Sequence, residues 1–442
     1  MAATVVQSAP VGLQPLSTGS RPSRPTPTRL WVITAGLVAA VLALLAVTAA
    51  AFVQARSQAD TVTASARTAS QAGDLYFALA DLDSEAARLV LLGDGNFTAD
   101  DGAYEGNQLS ALIAYNDRTA QVDTDLQELS ADGANAAAIT SEVTRYRSMA
   151  DSAIALDEFP GAPAGQPVAT SIGFYGRATT MMQDVVLPAA AQLRDQTASE
   201  ARQAADNARS WAIIGLIGTL VLGLIAVFAL VRVQRGFTVM FRRTLNPALV
   251  AAAVATVALL VGAAAGLAAT AQDASDSGSR LTSYLQVVTT RADSYDADGT
   301  AVRSVLMPDA FSGAQLTPEE TAVKKDLSAL GSAAGGAASQ WARSSEGPVA
   351  DYDAILAAVQ SRDAAKALTI ETGTARGDAA FDFYDYDQSL KSLGDRRLAS
   401  FQAAADGLSS DVGPWLYWPW ILAGAALLLI ALAVRPRLAE YR

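Results

Sequence analysis

Residues 30–92 read LWVITAGLVAAVLALLAVTAAAFVQARSQADTVTASARTASQAGDLYFALADLDSEAARLVLL. From Leu30 to Val53 no side chain is charged, and the stretch is long enough at ~1.5 Å per residue to cross a hydrocarbon core of ~30 Å. Polar residues then enter, yet no proline interrupts from Ile33 to Leu92. Leu75, Leu79, Leu82, Ala86 and Leu89 follow one another at intervals of 4, 3, 4 and 3, which lines them along one helical seam. One helix is therefore expected to leave the membrane and continue outward, its tip roughly 55–60 Å above the bilayer.

Three more stretches read as spans: Trp211 to Val231, Pro247 to Ala271 and Trp415 to Val434. Charge sets their orientation. Arg21, Arg24 and Arg29 precede the first span, Arg232, Arg235, Arg242 and Arg243 join the second to the third, and Arg435, Arg437 and Arg442 follow the fourth, with Glu440 the only acid among them. The two long segments keep 22 basic and 43 acidic residues, a net of −21. Both long segments are thus expected outside a cell membrane, with both termini in the cytoplasm. Trp211, Trp415, Tyr417, Trp418 and Trp420 fit an interfacial aromatic belt at the outer surface. The first span is longer than a signal-peptide core and is preceded by 29 residues, so it reads as retained. No span carries Asp, Glu, Lys or Arg, which argues against a transport pathway.

The chain also repeats itself. Asp81, Asp83, Arg88, Val90, Leu91 and Asp94 recur 215 positions on as Asp296, Asp298, Arg303, Val305, Leu306 and Asp309. The rhythm of the first seam returns in Leu281, Leu285, Val288, Ala292, Tyr295, Gly299, Val302 and Leu306. Each long segment is expected to be an up-down four-helix bundle whose first and last helices are fused to spans. In the first, helices at about 105–130 and 134–157 precede a return helix at about 168–210, kinked at Pro188. In the second, the counterparts are about 318–344, capped by Thr317 with Pro318 at its first position, then 348–371 and 374–412. Turns are expected at Gly93-Asp94-Gly95-Asn96 and Pro308-Asp309. The fold class is all-α: a disordered basic cytoplasmic arm (1–29), four transmembrane helices (30–53, 211–231, 247–271, 415–434), two duplicated extracytoplasmic bundles (54–210, 272–414), a basic cytoplasmic loop (232–246) and a tail (435–442).

Composition narrows the chemistry. In 442 residues there is neither cysteine nor histidine, which excludes disulfides, thiolate or imidazole metal sites and the common nucleophile–histidine pairs. Hydrophobic residues are 51% and charged residues 17%. We expect no enzyme and no cofactor, and acidic outer domains that repel nucleic acid. The repeated Asp-x-Asp-x4-Arg marks Asp81, Asp83, Arg88, Asp296, Asp298 and Arg303 as a candidate partner-docking site at the bundle tips. The plainer alternative is an ion pair within each domain, such as Arg88 with Glu85 or Asp94. Arg232, Arg235, Phe237, Arg242 and Arg243 are candidates for contact with a cytoplasmic effector or anionic lipid. Gly262 and Gly266 have the small-xxx-small spacing that lets spans pack closely, within the chain or in a homodimer. In Phe381-Asp-Phe383-Tyr384-Asp-Tyr386-Asp387, Phe383 and Tyr386 are expected with Leu390 in the core and the acids in water.

Each half of this layout resembles the helical-bundle sensory module of bacterial chemoreceptors and sensor kinases. The whole, by size, spans, bundles and Arg- and Ala-rich composition, resembles the GlnX-type four-span membrane proteins of actinobacteria. That resemblance implies a transmembrane signal relay. An extracytoplasmic solute-binding lipoprotein for aspartate and glutamate would be sensed through the bundles, and the change passed to a soluble serine/threonine kinase, kinase G. The alternatives are a scaffold that organises envelope complexes and a direct sensor of a small ligand.

Overall fold

The computed structural model describes residues 26–93, 102–158, 161–241, 247–311 and 313–439. Among these the secondary structure is helical and no strand is present. The expected all-α class is thus the observed one. In chain order the helices are α1 (Thr26–Leu92), α2 (Gly102–Ala131), α3 (Ala137–Glu158), α4 (Ala169–Met181), α5 (Leu187–Phe241), α6 (Pro247–Leu306), α7 (Gly313–Leu330), α8 (Gly335–Trp341), α9 (Pro348–Gln360), α10 (Ala364–Thr372), α11 (Ala379–Val412) and α12 (Trp418–Ala439).

The long helices of the two seams form as the pattern requires. α1 ends where Gly93 adopts φ +60, a conformation that suits glycine after a helix C-terminus. Asp94, Gly95 and Asn96 lie outside the described residues. At Pro188 the disturbance takes the form of a π-helical turn over Met182–Val186. Proline has no N–H for the carbonyl four residues back, and the ladder shifts register ahead of it.

The second half departs from expectation in four places. α7 begins at Gly313, and Pro318 lies inside it rather than at its first position. Leu316, fully buried with Val323, Leu327 and Leu330, draws the helix start back past the proline, whose lost hydrogen bond falls near a helix end. The expected helix 318–344 breaks at Gly331, φ +65, passes through a 3-10 turn and resumes as α8. The expected helix 348–371 divides at Arg362, φ +59, after which Asp363 accepts a bond from the Lys366 amide (3.0 Å) and caps α10. Finally, α11 stops at Val412 and α12 starts at Trp418, because Gly413-Pro414 interrupts the ladder. The last bundle helix is not fused to the last apolar one.

The described residues within 1–48, 218–262 and 418–442 form one compact unit, and those within 49–217 and 263–417 another. In the first, Leu37, Val41 and Leu44 of α1 pack with Ala226 and Leu230 of α5, Leu249 and Ala252 of α6, and Ala426 and Ile430 of α12. Its outer face exposes Leu42, Leu224, Phe228, Val254, Val261 and Leu428. A surface this apolar suits lipid. Three helical stretches, Trp31–Leu92, Ala169–Arg235 and Pro247–Leu306, are long and apolar enough to cross a membrane, and Trp418–Ala433 is a shorter apolar helix. The chain is a membrane protein.

In the second unit, the two seams share a core. Leu75, Leu79, Leu82 and Leu89 of α1 lie in one buried cluster with Leu281, Leu285, Val288 and Val302 of α6. Gly73 makes the approach close: a Cβ there would stand 2.9 Å from Leu285. The two halves are therefore joined through α1 and α6. A second cluster, around Trp341, Tyr352, Phe383, Tyr386 and Leu390, fills the latter half alone. Gly266 meets the Trp415 indole and the Phe52 ring, which stack on each other at 5.5 Å, and Gly262 is half-buried.

Candidate functional site

The repeated motif brings its charges together in the middle of this seam. Arg303 donates to Asp83 (2.8 Å), and Arg88 donates to Asp298 (3.0 Å). Asp83 and Asp298 are related by the 215-residue offset, as are Arg88 and Arg303. Each arginine thus crosses to the other half's aspartate, the reciprocal pattern of an interface between like surfaces. Arg88 also donates to Glu85 (3.0 Å), the pairing expected within one domain. Arg303 reaches Thr300 (2.6 Å) and Asp296 (3.2 Å) on its own helix.

The aspartates are saturated. Asp83 also accepts from Tyr146 (3.1 Å) on α3 and Thr179 (2.9 Å) on α4. Asp298 accepts from Ser84 (2.9 Å) and Tyr352 (3.3 Å). Donors from α1, α3, α4, α6 and α9 thereby converge on two carboxylates, the condition under which buried charge is tolerated. Burial disfavours the charge on Arg88, but the carboxylates of Glu85 and Asp298 outweigh it and hold the guanidinium firmly protonated. Asp81, Asp83, Asp298 and Arg303 are buried and Arg88 nearly so. The motif offered as a docking site therefore lies mostly buried, in a seam between the two halves.

Beside it lie groups that the sequence did not single out. Arg118 of α2 holds Asp81. Arg291 of α6 grips Asp387 of α11 in two bonds, 2.7 and 2.9 Å. Both guanidinium groups lie over the ring of Phe77, at 4.9 and 4.2 Å from its centre. Phe383, Tyr386 and Leu390 are buried as expected, but Asp382 and Asp387 are buried too rather than in water, Asp387 through Arg291 and Asp382 through the Gly377 amide (3.2 Å). In segments with a net charge of −21, each arginine is a scarce counter-charge, and that scarcity was the available signal for Arg118 and Arg291. A cavity of about 500 Å³ opens among Asp81, Glu85, Arg88, Arg118, Arg291 and Glu371.

Burial dominates the titration of this unit. It pushes Glu85 up to about 7, Asp74 to about 6 and Asp293 to about 7. The folded chain then holds protons that the unfolded chain releases near its ordinary carboxylate values, so stability grows as pH falls through 7 and 6. Thermal unfolding followed by circular dichroism should show a midpoint higher by about 5 °C at pH 5 than at pH 8. A midpoint that falls on acidification would contradict this.

Arg232 and Arg235, by contrast, are exposed in the apolar unit, where they edge a crevice that also contains Ile33, Gly36 and Ile225. Phe237 falls on α5, and Arg242 and Arg243 lie outside the described residues.

The fold and site together define an all-helical membrane protein whose bundle halves lock through buried ion pairs. Residues 57–206 match the family model of the actinobacterial sensor domain, which supports an actinobacterial sensor protein and a sensing role. No curated protein and no solved structure matches the chain.

Proposed function

We propose that the chain is a transmembrane signal relay. Its bundle unit lies outside the cell and senses an amino-acid-binding lipoprotein or that protein's ligand. The change passes through the long helices to a cytoplasmic serine/threonine kinase or another effector that reads the basic segment 232–246, whose first part is the end of α5. The observation that carries this reading is the continuity of α1, α5 and α6. Each runs from an apolar stretch into the bundle without a break in the helix, apart from register changes outside these ranges. Packed helices with two discrete arrangements transmit small slides and rotations. The match of residues 57–206 to a sensor domain supports the same reading.

Two experiments test it. The chain has no cysteine, so single cysteines report topology cleanly. Ser141→Cys should react with a membrane-impermeant maleimide on intact cells, and Thr244→Cys only after permeabilisation. The reverse result rejects the orientation. Affinity capture of the solubilised full chain should recover a solute-binding lipoprotein, in amounts that change with added amino acids. Recovery of none under either condition rejects the relay. A second reading, direct sensing of a small molecule, is favoured by the cavity beside the ion-pair seam.

A further inference from the structure

The cavity beside the seam has an unpartnered carboxyl. Its arginines are ion-paired, Arg118 to Asp81, Arg291 to Asp387, and Arg88 to Glu85 and Asp298 with its Nε unpartnered, and a fourth cation, Lys391, stands exposed at the cavity's rim. The unpartnered carboxyl belongs to Glu371 of α10. It is 1% exposed, it lines the cavity, and neither of its carboxyl oxygens has a hydrogen-bond partner. One oxygen of Glu85, on the facing α1, is likewise unpartnered. Buried polar groups in folded proteins are satisfied as a rule, and each exception asks for a reason. Burial and the neighbouring Asp298 hold the Glu371 carboxyl well above its ordinary range.

The duplicated position shows that such a vacancy is not forced by the fold. The residue 215 positions after Glu85 is Thr300, whose hydroxyl accepts a bond from Arg303 (2.6 Å). There the arginine is fully buried, whereas Arg88 borders open space. One copy of the motif is closed by its own side chains, and the other leaves a space of about 500 Å³, within the usual range for small-molecule sites. Tyr295 and Phe383 add ring faces to its wall. Aromatic faces and unpaired carboxyls both attract cations, and neither attracts an anion.

We infer that this cavity binds a small organic ammonium, its charged nitrogen bonded by Glu371 and Glu85 and its apolar part against Tyr295 and Phe383. The inference rests on the direct-sensing reading and gives it a ligand class. A bound amine would join α10 to α1 across the two halves, beside the Arg88–Asp298 pair, and so act on the seam itself.

Isothermal titration of the full chain in nanodiscs tests this with three probes of one shape: phenethylamine, 2-phenylethanol and 3-phenylpropionate. The amine should bind at least about ten-fold more tightly than either of the others. Glu371→Gln, which keeps the shape and removes the carboxyl that an ammonium would hold ionised, should abolish that preference. Glu85→Gln should weaken the amine independently, so the result does not depend on one variant folding. Binding of the carboxylate in preference to the amine overturns the ammonium inference while leaving direct sensing intact. Binding of no probe, or equal amine binding by wild type and Glu371→Gln, also overturns it. The relay reading is judged separately, by capture of the lipoprotein.

Discussion

Replacing Arg303 with methionine is expected to destabilise the bundle unit by about 3–5 kcal/mol, the usual effect of stranding one partner of a buried ion pair. The side chain is 2% exposed and its partner Asp83 is 1% exposed, so neither group can turn to water when the other is lost. Tyr146 and Thr179 would still donate to Asp83, but neither neutralises its charge. Arg88→Met should cost about half as much, because Arg88 is 17% exposed and borders the cavity, where water can enter. The double variant Asp83→Asn/Arg303→Met should recover most of the single loss, since it removes both charges and leaves groups that the tyrosine and threonine can satisfy. Denaturant unfolding of the three variants decides the matter. A loss below about 1 kcal/mol for Arg303→Met, or a double variant less stable than the single, would mean that the seam is not held by this pair.

The same pair shows how far the sequence could be read. Asp83, Arg88, Asp298 and Arg303 stand out in a single chain because the spacing recurs at a fixed offset. Their helix and their seam follow from the 4-and-3 rhythm of Leu75 to Leu89. What the rhythm cannot say is which surface each seam meets. A heptad stripe is equally content against helices of its own bundle or against its duplicate, and the two choices turn a pairing within a domain into a reciprocal pairing across domains. Gly73 held a trace of the answer, because a glycine in mid-helix is unfavourable unless something must come close. The broken helices of the second half were hidden for a different reason. Arg362 adopts a positive φ that its type disfavours, and α7 begins ahead of Pro318 because burial of Leu316 outweighs local preference. Glu371 was invisible, since an unpartnered carboxyl is a property of the packed state alone.

Phe77 is where the ion pairs of the two halves are tied together, and its truncation should have the second large effect. Arg118 and Asp81 belong to the first half, and Arg291 and Asp387 to the second. Both guanidinium groups lie over the ring of Phe77, while Tyr295 meets it edge-on at 5.4 Å. Phe77→Ala removes a buried side chain and leaves both guanidinium groups beside a void, with an expected loss of about 3–5 kcal/mol. Phe77→Leu keeps most of the apolar bulk and deletes only the ring's attraction for the arginines, so about 1–2 kcal/mol should be lost. The difference between the variants separates packing from cation–π attraction. If leucine is as stable as phenylalanine, the ring is only filler, and the arginines are positioned by Asp81 and Asp387 alone. The position 215 residues later is Ala292, so no ring stands at the related point of the second half. The halves are therefore alike in the motif that joins them and unlike in what surrounds it. That asymmetry lets one side close around Arg303 while the other keeps a cavity beside Arg88. A binding event on the open side must then be felt through Phe77 and the Arg88–Asp298 pair, and so by α1 and α6 together.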